Sequence, residues 1–220
     1  MLVFEQSPIQ AKSGRASPHF SVPKNQNTKL KTTVKDSTVR VGECVHQGNL
    51  VLQHASLTLS KPSQLQDCDI RDCEILHLGD ITVHSRITVH RSGLHADQLE
   101  LLQSELMLFS STLTAAIKGS GSVVARESEI ISEQGTLNFS CCHLALHDSK
   151  LKANRLLFGK QHTVVHQSQI SAHTAQLHLQ RVQESLITIQ DKGSVLLDGA
   201  IIHDTRIGAK SLVMTVTGEN

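Results

Sequence analysis

The sequence predicts an all-β, single-domain parallel β-helix of about ten coils, each with three short strands and about 19 residues. The first observation is a phrase that opens on an apolar residue and recurs at intervals of 18 to 20 residues. A period of this length is typical of a solenoid, in which every repeat packs on its neighbours. The phrase begins at Leu94, Leu113, Ile131, Leu151, Ile170, Ile189 and Ile207.

A second phrase closes four of the repeats and fixes the position of one corner. An apolar residue and a histidine are followed, two places after the histidine, by Ser or Thr and then by the next repeat. The histidines of this phrase are His90, His147, His166 and His203, and the matching hydroxyl residues are Ser92, Ser149, Ser168 and Thr205. Two phrases with one period indicate a repeated three-dimensional unit.

Short alternating runs predict that the repeats are built from strands. Ile81-Thr-Val83, Leu144-Ala-Leu146 and Met214-Thr-Val216 each place apolar residues on one face and polar or small residues on the other. Ser, Gly, Asn, Asp and Gln interrupt the runs every few residues, as corners require. The leucine-rich repeat frame is missing. At about 4.8 Å per coil, ten coils predict a rod roughly 45 Å long.

Composition agrees with a narrow interior. Aromatic residues make up 2% of the chain and are all Phe. A lumen of stacked Ile, Leu, Val and Ala leaves little room for rings. Sites for sugars and nucleic acids usually rely on aromatic stacking, so we expect no nucleic-acid partner.

The chain divides into three regions. Residues 1–36 predict a disordered basic tail, because they are rich in polar residues, lack periodicity and contain six Lys or Arg against two Asp or Glu. Residues 37–216 form the predicted β-helix, and residues 217–220 a short C-terminal tail. Three of the four prolines, at 8, 18 and 23, precede the β-helix, which leaves one at 62 within the ladder.

The tail suggests a weak membrane contact. It opens with the apolar residues Met1, Leu2, Val3 and Phe4. With the basic residues that follow, they could hold the protein at an anionic membrane surface, although an ordinary solubilising tail has the same composition. A transmembrane stretch and a signal peptide are both missing from the sequence, which predicts a cytoplasmic protein. Five cysteines without a C-x-x-C pair are consistent with reduced thiols.

Histidines raise the question of a metal site. His147 and His166 fall in one column on consecutive coils, about 5 Å apart, close enough to share Zn²⁺. The other positions of this column are predicted to hold Phe109, Glu127 and Ser185, which leaves the pair short of ligands. We therefore expect an exposed polar ladder and no metal or other cofactor. The acidic residues from Asp67 to Glu74 are likewise interpreted as a solvated strand face, although they could gather Ca²⁺.

Catalytic motifs are missing from the sequence, which predicts a non-enzymatic protein. It contains no G-x-S-x-G, H-E-x-x-H or phosphate-binding glycine loop. One alternative is a left-handed β-helix enzyme similar to the hexapeptide acyltransferases, which use a histidine as general base. Their strict six-residue steps are not found here. A secreted β-helix adhesin or effector is the other alternative.

One family shares the repeat phrase. The segments Ser149-Lys-Leu151-Lys-Ala153 to Phe158 and Ser168-Gln-Ile170-Ser-Ala172 to Leu179 resemble the G-x-I-x-A-x-x-L-x-L phrase of the bactofilins. Ser or Thr stands here where that phrase has Gly. The resemblance implies a right-handed β-helix, polymerisation without nucleotide, attachment to the inner membrane surface through the N-terminal tail, and scaffolding of cell-wall or morphogenesis proteins.

The ends of a β-helix favour self-assembly for a physical reason. The first and last coils expose unpaired strand backbone and an open apolar lumen unless a cap covers them. The last predicted strand carries Leu212, Met214 and Val216 and is followed by four residues, too few for a cap. We therefore predict that copies of the chain stack end to end through these residues.

Overall fold

A computed structural model describes residues 2–3, 31–36, 38–41 and 44–217. These residues form a β-solenoid of about nine turns with a spacing of about 19 residues, and they contain no helix. The predicted fold class is confirmed. Alternation of buried and exposed residues along the strands, as in the repeating pattern of Thr163–His166, explains why the chain folds as strands.

The described residues form seventeen strands. Their bounds are β1 Leu2–Val3, β2 Lys31–Lys35, β3 Thr38–Val41, β4 Val45–Gln53, β5 Ser56–Leu59, β6 Ser63–Arg71, β7 Ile75–His77, β8 Asp80–His90, β9 Gly93–Phe109, β10 Thr112–Arg126, β11 Glu129–Phe139, β12 Cys141–His147, β13 Lys150–Phe158, β14 Thr163–His166, β15 Gln169–Gln183, β16 Leu186–His203 and β17 Arg206–Thr217. The longest strands bend around corners, so that one strand supplies more than one side of a coil.

Pairing between coils is parallel from β2 to β17. In β13 and β15, for example, Leu151 pairs with Ile170 and Ala153 with Ala172. One antiparallel pair, β1 with β2, is described at the N-terminal end. Parallel pairing at every coil aligns equivalent residues into columns along the rod, so a position in one coil predicts its neighbours in the next.

The core is a continuous column of aliphatic side chains inside the solenoid. One such column stacks six residues that are each at most 2% exposed: Leu94, Leu113, Ile130, Leu151, Ile170 and Ile187. The lumen also accepts two rings, because Phe139 and Phe158 are buried with their centroids 6.1 Å apart. Burial of these side chains is the main stabilising contribution to a fold of this kind.

The columns correct the sequence alignment of two repeats. Ile130, and not Ile131, occupies the core column, and Ile187 takes the place predicted for Ile189. Coils therefore vary more in length than the repeat phrase suggested. The pairings shift register at other corners, such as between Ser132 and Thr136, and these irregularities absorb the extra residues.

One corner has the same backbone in every coil. Its first residue adopts a left-handed conformation, with φ between 43° and 54°. These residues are Asp36, His54, Asp72, Arg91, Ser110, Glu127, Asp148, Gln167, Glu184 and Asp204. Ten such corners delimit nine turns, and the residues after Asp204 form an incomplete tenth, where the sequence predicted about ten coils.

A ladder of buried hydroxyl groups lies directly behind this corner. Ser149 Oγ accepts a hydrogen bond from the N–H of Ser128 in the preceding coil at 3.2 Å and donates one to the carbonyl of His147 at 2.7 Å. The same pair of bonds recurs at Ser111, Ser128, Ser168 and Ser185, and Ser92 and Cys73 extend it towards the N-terminus. Each hydroxyl satisfies a backbone N–H that would otherwise be buried without a partner.

The domain boundaries differ from prediction at the N-terminal side. Strand β2, Lys31–Lys35, lies inside the segment 1–36 expected as a tail and pairs in parallel with β4. The solenoid therefore begins by Lys31 at the latest. Of the rest of that segment, Leu2 and Val3 pair with β2, while Met1 and residues 4–30 lie outside the described residues. At the other end β17 extends to Thr217, one residue beyond the predicted boundary.

Candidate assembly surface at the C-terminal coil

The last coil continues the lumen without a coil above it. Met214 pairs with Val195 in the coil below, and Val216 with Leu197. Val195 is 1% exposed, whereas Met214 is 44% and Val216 72% exposed. Residues with the same inward orientation thus change from buried to exposed within one coil, because the described chain supplies no further layer.

A third side of the lumen is open at the same end. Ile202 stacks on Val182, which is fully buried, but is itself 37% exposed. Ile207 and Leu212 of the final coil are half-buried and pack against the core. We call this surface the C-terminal end face and define it as Ile202, Ile207, Leu212, Met214 and Val216. The three residues predicted for an assembly contact all lie on it.

The backbone at this end is also unpaired. Strand β17 pairs with β16 along one edge, and its second edge has no partner among the described residues. An exposed strand edge presents a row of N–H and C=O groups that can accept a strand from another chain. The C-terminal end face therefore combines apolar side chains with free backbone hydrogen-bonding groups.

Apolar residues continue around the outside of the last two coils. Leu186, Ile201 and Val213 are 45%, 54% and 64% exposed. Their partners in the preceding coils are polar in each case, since Leu186 pairs with Gln169 and Ile201 with Arg181. The outer wall thus becomes apolar close to the end face, which enlarges the surface available to a partner.

The N-terminal end differs from the C-terminal end. Leu2 and Val3 pair with Val34 and Thr33 of β2, so this rung carries an additional strand on one side. Thr32 and Val34 are 9% and 6% exposed. On the next side β3, Thr38–Val41, pairs with β5 and has no described partner along its other edge. Within the described part of the chain, this end therefore keeps a free edge on part of its rung.

The predicted histidine pair does come together. His147 and His166 occupy paired positions, with ring centroids 6.0 Å apart and the rings tilted by 52°. The pKa of His147 is lowered by burial, by the positive charge of Arg126 and by His166. Among the described residues no group of three His, Cys, Asp or Glu side chains could hold a metal ion.

The prediction for the rest of the histidine column was wrong at two positions. Arg126 and Gln183 occupy the places predicted for Glu127 and Ser185, and Phe109 stacks on His90 at 4.7 Å as its position suggested. Glu127 lies instead at the corner, where its carboxylate accepts a hydrogen bond from Ser110. The error arises because the two coils concerned are shorter than the mean repeat.

The acidic segment and the cysteines have ordinary structural surroundings. Asp69 and Asp72 are ion-paired with Arg71 and Arg91, each with an N to O distance of 2.6 Å. Cys141 is exposed and Cys142 is buried, as expected of neighbours on a strand, and all five cysteines are free thiols. Burial raises the pKa of Cys142 to about 11, so this thiol is protonated and unreactive near neutral pH.

No family model, curated protein or solved structure matches this chain. The described residues contain no helix that is long and apolar enough to cross a membrane.

Proposed function

We propose that this protein is a non-enzymatic structural protein that assembles end to end, without nucleotide, into filaments. The observation that carries the proposal is the C-terminal end face, where lumen residues that are sealed in every interior coil stand open to solvent. Full burial of a Val or Met side chain contributes about 1.5–3 kcal/mol. A second terminal coil stacked on this face would cover these residues and pair the free edge of β17 in the same step.

Both ends of the rod offer an edge for such stacking. The C-terminal rung provides β17 along twelve residues, and the N-terminal rung provides β3. Side walls contribute less, because their outward residues are mostly polar and their backbone groups are already paired within the sheet. A contact through the ends extends the columns of the lumen, and repetition of that contact produces a linear polymer.

The resemblance to the bactofilins supports the same function. It implies a cytoskeletal scaffold at the inner face of the cytoplasmic membrane, with cell-wall or morphogenesis proteins as clients. In this proposal the protein is cytoplasmic, and Met1, Leu2, Val3 and Phe4 with the basic tail form the membrane contact. Leu2 and Val3 also pair with β2, which places this contact at the N-terminal rung of the rod, whereas Met1 and Phe4 lie outside the described residues.

Substitution of Met214 by Asp tests the assembly surface. A carboxylate on the end face would have to lose its hydration when a second coil stacks on it, at a cost of several kcal/mol. We expect the Met214→Asp protein to remain a folded β-rod by circular dichroism and to lose its filaments in negative-stain electron microscopy and its fast-sedimenting fraction. Wild-type protein, free of nucleotide, should show both.

Thr215→Asp is the matched control. Thr215 is adjacent in β17 and is exposed, but it pairs with Leu196 on the outer wall and so points away from the lumen. The same charge at this position should leave filaments intact. Filaments of wild-type appearance in the Met214→Asp protein would remove the C-terminal end face from the proposal, and a wild-type protein that stays monomeric at high concentration would remove the filament itself.

A further inference from the structure

A second surface lies on the side wall of the rod, where β12 and β14 are stacked between β10 and β15. Four histidines are placed there in two neighbouring coils, and an arginine lies at each end of the group. We call this surface the histidine face and define it as Arg126, His143, His147, His162, His166 and Arg181. None of these residues is on the C-terminal end face, so filament formation leaves the surface accessible.

Strand pairing arranges the face as a flat array. Arg126, His147 and His166 form one column, and Val124, Ala145 and Val164 form the next. His143 and His162 stand on the far side of the apolar column, four residues along the strand, which corresponds to about 13 Å. Successive residues in a column are spaced by one coil, roughly 4.8 Å. Cationic and protonatable groups thus surround an apolar strip.

The charges on this face are not paired. Neither Arg126 nor Arg181 is ion-paired among the described residues, although both are exposed. The same side of the rod nearer the N-terminus is different, because Arg71 is paired with Asp69 and Arg86 with Glu105. Near the N-terminus the arginines of this side are held in ion pairs, whereas the two arginines of the histidine face form none among the described residues.

Other titratable groups nearby are at the edges of the face. Glu127, Asp148 and Glu184 follow the Arg126 column at the adjacent corner, where Glu127 and Glu184 accept hydrogen bonds from Ser110 and Gln167. On the opposite edge His162 Nδ1 is 3.0 Å from Gln180 Oε1, and the Gln180 amide lies 3.5 Å from the Lys160 carbonyl. Cys141 neighbours His143 on the same strand. Two arginines against three corner carboxylates leave the region near neutral while the histidines are uncharged.

We propose that the histidine face is a pH-dependent docking surface for an anionic lipid bilayer. Protonation of histidine side chains on this face would add positive charge to a nearly neutral, flat region. A planar array of cations around small apolar side chains fits a planar array of lipid phosphates and carboxylates. Single-stranded nucleic acids usually stack their bases on Phe, Tyr or Trp, and neither the histidine face nor the apolar strip contains one of these residues.

The lowered pKa of His147 sets the direction of the response. Burial and its cationic neighbours disfavour the charged form, so this ring is neutral at neutral pH and becomes charged only on acidification. An anionic surface nearby acts in the opposite sense and favours protonation. Binding and protonation therefore promote each other, and attachment should strengthen as the pH falls.

Vesicle co-sedimentation with the full chain tests this inference. The vesicles contain phosphatidylcholine alone, or phosphatidylcholine with about a quarter phosphatidylserine, and binding is compared at about pH 7.5 and about pH 5.5. We expect acidification to increase binding to the anionic vesicles at least about tenfold, because each cation that reaches such a surface strengthens binding roughly fivefold. Binding to the neutral vesicles should stay weak at both pH values.

A matched pair of variants separates the face from the overall charge of the protein. His147→Gln/His166→Gln removes one adjacent pair from the histidine face, and His77→Gln/His95→Gln removes a pair with a centroid distance of 5.5 Å from another side of the rod. The first should lose most of the acid-induced binding, and the second should keep it. His143→Gln/His162→Gln should lose acid-induced binding in the same way. It replaces the His147→Gln/His166→Gln variant if the latter fails to fold.

The inference would be overturned if the His77→Gln/His95→Gln control lost as much acid-induced binding as the variants of the histidine face. Equal binding to neutral and anionic vesicles would also overturn it. So would acid-induced binding to heparin or to an acidic protein with none to vesicles, because the partner would then be a soluble polyanion. The inference extends the membrane part of the proposed function, and the two can fail separately. Filaments are scored by microscopy, whereas binding through the tail should survive at neutral pH in all these variants.

Discussion

The interior coils and the final coil have the same inward-facing chemistry but opposite accessibility. Leu177, Val195 and Met214 stack in one column, and their exposed fractions are 1%, 1% and 44%. Each interior residue is covered by a neighbour on both sides, whereas Met214 is covered on one. The stability of a solenoid is approximately a sum over repeats and their nearest-neighbour interfaces, so the last coil lacks one favourable term that another molecule can supply.

Charge introduced into this column gives the largest expected difference between the two regions. Val195→Asp would bury a carboxylate without a partner, and we expect it to destabilise the fold by more than about 3 kcal/mol or to prevent folding. Met214→Asp places the same group at the open end, where water still reaches it, and should change the free energy of unfolding by less than about 1 kcal/mol. Urea unfolding followed by circular dichroism measures both.

The assembly state must be controlled in that comparison. Unfolding is measured at a protein concentration at which the wild type is monomeric by light scattering, since assembly would stabilise the wild type alone. A large loss of stability in monomeric Met214→Asp would mean that the residue is buried in solution, in conflict with an open end face.

The hydroxyl ladder provides a second comparison, of intermediate size. Ser149→Ala leaves the buried N–H of Ser128 without an acceptor, and we expect a loss of about 1–3 kcal/mol. Thr205 occupies the equivalent position in the final coil, where its hydroxyl donates to the His203 carbonyl at an exposed site. Thr205→Ala should cost less than about 0.5 kcal/mol. The measurement is again urea unfolding of the monomer.

Similar losses in the two variants would show that the ladder stabilises through local bonds within one coil. Hydrogen exchange further distinguishes stabilisation by bonds within one coil from stabilisation by bonds between coils. The amide of Ser128 should lose protection in the Ser149→Ala protein, because its partner in the adjacent coil is gone, while amides on the other two sides of the coil keep theirs.

Much of this fold could be predicted because the sequence repeats the same local physics. In most coils the hydroxyl that follows the left-handed corner residue makes two hydrogen bonds, so Ser92, Ser149 and Ser168 mark the period directly. Apolar positions such as Leu151 and Ile170 follow at a constant distance. Where both signals are present, as in these coils, the predicted register agrees with the structure.

The errors occur where one signal was followed without the other. Ile131 and Ile189 matched the apolar phrase, but the buried serines of those coils, Ser128 and Ser185, place Ile130 and Ile187 in the core column. Both serines end a short coil, so counting by the mean repeat misplaced Glu127. Serine spacing was the signal that could have corrected the column.

The sequence predicted which strand forms the C-terminal end face but not all of the residues exposed on it. Leu212, Met214 and Val216 follow from alternation in the last strand, whereas the exposure of Ile202 depends on which side of the incomplete coil is missing. The histidine face could not be predicted from the sequence. Its composition depends on which residues pair with His147 and Val164, and the repeat phrases did not give the positions of Arg126 and Arg181. The strand β1 on the N-terminal rung carries no periodic signal at all.

Backbone strain at the corner gives the smallest expected effect and should not distinguish the two regions. Asp148 in an interior coil and Asp204 at the final corner have φ of 48° and 43°. Left-handed conformations are less costly for Gly, although Gly also loses more conformational entropy on folding. Because both contributions are local, Asp148→Gly and Asp204→Gly should each stabilise by about 0.5 kcal/mol, as measured by urea unfolding. A gain at Asp148 alone would mean that loss of the contact between Asp204 and His203, 3.2 Å apart, offsets the relief of strain at the final corner. A gain at Asp204 alone would show that neighbouring coils, and not the backbone alone, determine the strain.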